Sequence, residues 1–130
     1  MTDPLKFLVI ATKPREAIPF NDVGWWGEQV DGTRGVNVAA LGNTDYEFLV
    51  AIHEAVEQHM CLRDGVTAEQ VDAWDAAHDN GAISAGDMSD APYHHQHVAA
   101  TMVEMQLCSL LGLDWQEYER FIEGLYDGEQ

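Results

Sequence analysis

The residues best suited to chemistry lie in two short segments, His53-Glu54-Ala55-Val56-Glu57 and Tyr93-His94-His95-Gln96-His97. Residues four apart in a helix share a face, ~6 Å from each other, so His53 and Glu57 can aim at one cation. An imidazole nitrogen and a carboxylate oxygen each bind zinc at ~2.0–2.2 Å. The carboxylate is a hard donor, which admits manganese or iron beside zinc. In the second segment His94 and His97 are three apart and share a face that Thr101 and Glu104 continue. If the two helices pack side by side, His53, Glu57, His94 and His97 converge. Four such donors close a tetrahedral shell, whereas three leave a position for water. Glu104 is two turns from His97, ~10 Å along the axis. It is therefore expected to accept a histidine N–H from outside the shell, or to serve as an ion-pair partner, rather than to ligate the same metal. Asp75, next to Trp74, is expected to accept a hydrogen bond from the same site.

Glu54 lies ~100° round the helix from His53. In the His-Glu-x-x-His motif of metalloproteases that offset lets the Glu act as general base on a metal-bound water without ligating the metal. Here the fifth residue is Glu57, not a histidine. With 6 His and 11 Glu in 130 residues, ~0.04 copies of His-Glu-x-x-Glu are expected by chance. The bland readings are a solvated amphipathic helix for the first segment and a histidine-rich surface turn for the second. His78-Asp79, with His53 and Asp87 or Asp90, can be fitted to a metal-dependent phosphohydrolase pattern, but Asp79-Asn80-Gly81 reads as a helix end. Trp25 and Trp26 read as core and sheet-face residues, with peptide binding as the alternative. Cys61 and Cys108 lie in apolar helical patterns and read as reduced core thiols, with no sequence signal for a catalytic thiol. There is no Gly-rich phosphate loop and no Gly-x-Ser-x-Gly elbow.

These residues sit in a chain of 130 residues, 46% hydrophobic, with 23 acidic and 6 basic side chains and a formal charge of −17. That length and apolar content fit one domain, 1–130, with a real core. The charge argues against direct contact with nucleic-acid phosphates and with anionic lipid. It reads as a solvated surface, because the acids are spread along the chain; an acidic decoy that mimics DNA is the sharper alternative. The longest apolar run near the start, Phe7 to Ala11, is far too short for a membrane span of ~20 residues and lacks the marks of an export signal. A cytoplasmic location is expected.

The elements needed to position the two segments are legible. Leu5 to Thr12 reads as a short buried strand. Val23 to Val30 reads as a second strand, turning at Asp31-Gly32 into a third with Val36, Val38 and Ala40. Residues 1–42 are thus mainly strands and loops, a small and mainly antiparallel sheet. Residues 43–127 are mainly helical, in about four helices. Thr44 to Glu47 is a capping box, and Phe48, Ile52, Ala55, Val56 and Met60 form the apolar stripe behind it, up to Gly65. Thr67 to Gln70 caps a second helix carrying Val71, Trp74 and Ala77. Asp90-Ala91-Pro92 opens a third that runs to Leu111, and Asp114 to Glu117 opens a fourth with Trp115, Tyr118, Ile122 and Leu125 inward. The fold class is α+β.

Tyr46 to Glu57, Cys61, Gly65-Val66-Thr67, Trp74-Asp75, Gly86-Asp87, Ala91-Pro92-Tyr93-His94, His97, Glu104 and Leu113-Asp114-Trp115 resemble a family of small uncharacterised phage and bacterial proteins. The resemblance implies that the His-Glu-x-x-Glu helix and the Tyr-His-x-x-His segment occur together and share one site. The order of strands, His-Glu helix and further helices also looks, at fold level, like a reduced zincin metalloprotease. The expected function is binding of one divalent metal, zinc first and manganese or iron next. His53, Glu57, His94 and His97 would be ligands, Glu104 and Asp75 would support them, and Glu54 would be general base for a hydrolysis, with a peptide bond as the first candidate. The alternative is a non-enzymatic acidic protein, a phage-type inhibitor or DNA-mimic decoy acting on a protein or peptide partner, with a structural metal site or none. A phage origin would put it in the infected host cell.

Overall fold

Val36, Asn37, Val38 and Ala39 are all buried, on both faces of one strand, and this fixes the middle of the sheet. The computed structural model describes residues 7–28, 33–78 and 84–127. Three strands, β1 (Leu8–Lys13), β2 (Gly24–Glu28) and β3 (Arg34–Ala39), lie in the order β1-β3-β2. β2 runs antiparallel to β3, with Trp26 opposite Val36. β1 runs parallel to β3, with Ile10 opposite Val36, so the sheet is mixed. The Asp31-Gly32 turn lies outside the described residues.

β1 is not buried. Phe7, Leu8, Val9 and Ile10 are 45–58% exposed. An apolar run specifies extended backbone here, and the ladder to β3 holds it, but among the described residues no layer covers the strand on either side. Its position at the sheet edge leaves that surface open.

Four helices follow: α1 (Thr44–Arg63), α2 (Ala68–His78), α3 (His94–Leu110) and α4 (Trp115–Asp127). α1 packs against β2 and β3 and, along its length, against α3. The cap of α1 is Asn43, one residue before the predicted Thr44. Its side chain accepts from Tyr46 N, and Glu47 reaches back to Leu41 N–H at 2.8 Å. Gly65 ends the helix at φ +81°. The capping box of α2 forms as read, with reciprocal Thr67–Gln70 bonds. α3 starts at His94, two residues after Pro92, because residues 91–93 turn before the helix begins. Asp114 caps α4 through Glu117 N–H, and Trp115, Tyr118, Ile122 and Leu125 face inward.

The inward face of α1 is not the apolar stripe. Leu49, Val50, Ala51, His53, Glu57, Gln58 and Cys61 are buried, while Phe48 is 47% exposed. A helix wedged between a sheet and another helix is covered round more than half its circumference, so no single stripe defines its inside. Gln58 uses that position to donate from Nε2 to the carbonyls of Gly27 and Gly35, tying α1 to both β2 and β3. Cys61 and Cys108 are buried free thiols. No helix among the described residues is long and apolar enough to cross a membrane.

Candidate metal centre

The α1–α3 contact brings three donors together. His53 Nε2 and Glu57 Oε2 on α1 are 3.2 Å apart, Glu57 Oε2 and His97 Nδ1 on α3 are 3.0 Å apart, and the two imidazole nitrogens are 3.3 Å apart. A tetrahedral shell with ~2.05 Å bonds spaces its donors by ~3.3 Å, and an octahedral face with ~2.1 Å bonds by ~3.0 Å. The triangle fits a single cation of either geometry. The group His53, Glu57, His97 can therefore hold a metal ion. Its two imidazoles and one carboxylate suit zinc, iron or manganese alike.

The outer atoms of each ligand are already engaged. His53 Nδ1 faces Glu104 Oε1 at 2.8 Å, and His97 Nε2 faces Asp87 Oδ1 at 3.1 Å. A carboxylate can only accept, so these two nitrogens carry the protons. In the neutral rings, His53 Nε2 and His97 Nδ1 are then bare lone pairs, aimed with Glu57 Oε2 at one point. Three lone pairs ~3 Å apart repel unless a cation or protons sit among them. Glu104 is itself fixed by Tyr118 O–H, which donates to Oε2 at 2.6 Å. Glu57 Oε1 accepts from the Trp26 indole at 3.0 Å, leaving only Oε2 for the triangle.

Two glycines make the approach possible. A β-carbon on Gly86 would lie 2.5 Å from His97 Cγ, and one on Gly24 would lie 2.8 Å from Glu54 Cγ. Gly86 belongs to a short 3-10 turn, Ala85–Asp87, that also delivers Asp87 to His97. Its carbonyl is 3.0 Å from His94 Nδ1, so His94 donates there and lies outside the triangle. His78 stacks on Trp74 and bonds to its carbonyl, Asp90 is exposed, and Asp79 lies outside the described residues. Asp75 accepts from Tyr93 O–H, and the Tyr93 ring meets His97 edge-on, 6.1 Å between centroids.

The electrostatics follow from this wiring. Burial disfavours a charged His53 ring, but its bonds to Glu104 and Glu57 outweigh that and hold its pKa well above the usual range. His97 is likewise desolvated, yet Asp87 and Glu57 bring it to about 9. Burial would raise Glu57, but the bonds from both histidines draw it down to about 2. Without a metal, protons hold the triangle together. Glu54, displaced upward by burial and then by the charge of Glu57, makes no hydrogen bond among the described residues.

All of these groups open onto a pocket of about 480 Å³ between β2, α1, α3 and α4. Phe20, on its wall, takes the left-handed backbone region at φ +63°, a conformation that costs a non-glycine residue ~1–2 kcal/mol. Sequence reasoning did not assign Trp26, Gly86 and Tyr118 to this site, and it named Asp87 beside His53 only in the phosphohydrolase pattern. One signal was available: a buried indole N–H needs an acceptor, and Trp26 was a core candidate. No family model matches the chain, and comparisons with curated proteins and with solved structures give no significant match, so function has to be read from the geometry.

Proposed function

We propose that the protein binds one divalent cation at His53, Glu57 and His97 and uses it for hydrolysis, with Glu54 as the general base. The observation that carries this reading is the convergence of three lone pairs whose outer partners are already fixed by carboxylates and an indole. Three protein donors leave a coordination position for water, and a bound dication lowers that water's pKa toward neutrality. Glu54 lines the same pocket, with its carboxyl group free of protein partners among the described residues. Without a metal, burial and the charge of Glu57 raise its pKa and favour the protonated form. The dication would draw that pKa back down, which keeps Glu54 ionised and ready to accept.

Zinc is the first metal to test, and iron(II) and manganese(II) are tested beside it. Metal analysis of the purified protein should give one equivalent, lost in His53→Ala. Glu54→Gln should keep the metal and lower turnover of amide or ester substrates by ~10²–10⁴-fold. A protein that stays metal-free in excess zinc, iron(II) and manganese(II) would defeat the reading. Unchanged turnover in Glu54→Gln would remove Glu54 as base while leaving the metal site standing.

A further inference from the structure

The walls of the pocket carry a charge pattern that the metal alone does not account for. Among the described residues that line it there is no Lys and no Arg. Beyond the carboxylates engaged by the histidines, it is lined by Asp22, Glu54, Asp75, Glu119 and Glu123. Asp22 uses one oxygen to accept from Tyr126 O–H and Val23 N–H, and Asp75 uses one to accept from Tyr93 O–H. Their second oxygens make no hydrogen bond among the described residues. Glu119 and Glu123 are four apart on α4 and exposed at the rim. Between these acids stand the flat apolar surfaces of Phe20, Trp25 and Trp115, while the Tyr126 ring already carries Arg15 at 5.3 Å.

We infer that the pocket selects a substrate carrying a guanidinium or ammonium group beside the bond to be cut, and rejects anionic ones. A cation is attracted to an aromatic face, and the carboxylate oxygens that make no hydrogen bond among the described residues supply the acceptors that its N–H groups require. An anionic group placed among these acids, away from the metal position, would meet like charge. The formal charge of −17 adds a long-range field that draws cations in and repels anions. Burial raises Asp22, and raises Asp75 to about 7, as expected of carboxyls that stand half-buried without a cation. The volume of about 480 Å³ suits a small molecule or the end of a peptide rather than a folded partner.

This inference rests on the hydrolase reading for its reaction. Water adds to the carbonyl carbon and gives one proton to Glu54. The carbonyl–nitrogen bond then breaks, the nitrogen takes up that proton and the water's second proton, and a carboxylate and an ammonium leave. The only co-reactant is water.

The test uses three probes of one shape, benzylguanidinium, benzylurea and benzylsulfonate, titrated into the zinc-loaded full chain by calorimetry and tryptophan fluorescence. The guanidinium should bind at least tenfold more tightly than the neutral urea, and its advantage should shrink with added salt; the sulfonate should not bind. Joint Glu119→Gln and Glu123→Gln substitution should weaken the guanidinium three- to tenfold and leave zinc affinity unchanged. If urea or sulfonate binds as tightly, or if no probe binds, the inference fails while the metal site stands. If the guanidinium preference is present in a chain that takes up no zinc, cation selection stands and hydrolysis falls.

Discussion

The α1–α3 contact and the outer strand β1 reverse the usual distribution of polarity in opposite directions. His53, Glu57 and Glu104 are less than a tenth exposed, while Phe7 to Ile10 are about half exposed. A buried ionic cluster of this kind seldom adds stability over an apolar one of the same volume, because desolvation offsets the attraction. Stability therefore does not explain why α1 turns histidine and glutamate inward and leaves Phe48 outside. At β1 the main-chain ladder to β3 suffices to hold the strand, and its side chains are left over. The first region is determined by its side chains and the second by its backbone.

The largest expected effect that separates them is pH dependence. In the metal-free protein His97 titrates at about 9, and His53 well above its ordinary value, so at pH 7 both rings carry two protons. Zinc must displace one proton from each ring, and each displaced proton steepens the affinity by up to ~10-fold per pH unit. Zinc affinity should then fall by as much as ~10⁴-fold between pH 8 and pH 6. Calorimetry in buffers of different ionisation enthalpy counts the protons, and release of none at pH 7 would contradict the wiring of the two rings. The fold responds in the opposite sense. A raised histidine pKa stabilises the metal-free protein below its ordinary value, and that contribution is lost as pH rises through about 9. The lowered Glu57 stabilises above its ordinary value, and this is lost as pH falls through about 2.

Removing a ligand comes next. His97→Ala should lower zinc affinity by more than the ~100-fold typical of losing an outer partner, read by competition with a chromophoric chelator. His94→Ala should change it far less, because His94 bonds to the Gly86 carbonyl instead.

That pair of histidines also marks how far the sequence was legible. His53 and Glu57 were readable because a four-residue spacing on a helix fixes their relation locally. His97 was readable because a second histidine-bearing helix could face them. His94 shares a face with His97 only if both lie well inside a helix. It is instead the first residue of α3, where the entering chain turns it toward the 3-10 turn. Trp26, the Gly86-Asp87 turn and Tyr118 come from three separate places in the chain. Each supplies one contact that depends on tertiary packing, and no local spacing encodes that. The strand at Leu8–Lys13 was legible as a strand, but its burial depends on which layers the chain places over it.

A smaller effect should come from the outer partners. Glu104→Gln keeps an acceptor for His53 Nδ1 but removes the charge, and should reduce zinc affinity ~10- to 100-fold. Asp87→Asn should reduce it less. The Asp87 side chain is 54% exposed, so water can take over the His97 Nε2 proton. Chelator competition on the two variants ranks them. Equal losses would mean that Asp87 is as enclosed in solution as Glu104.

The smallest effect concerns β1 and tests whether its exposure is real in solution. Ile10 and Val36 are register partners, one on the open strand and one at the centre of the sheet. Val36→Ala removes buried carbon and should cost ~2 kcal/mol of unfolding free energy. Ile10→Lys keeps the main-chain ladder and places its charge in water, so it should change stability by less than ~0.5 kcal/mol. Urea midpoints for the two variants give the comparison directly. If Ile10→Lys is as damaging as Val36→Ala, β1 is covered in solution by a layer from another molecule. The apolar edge would then be an interface, and the two regions would differ in what they bind rather than in what holds them.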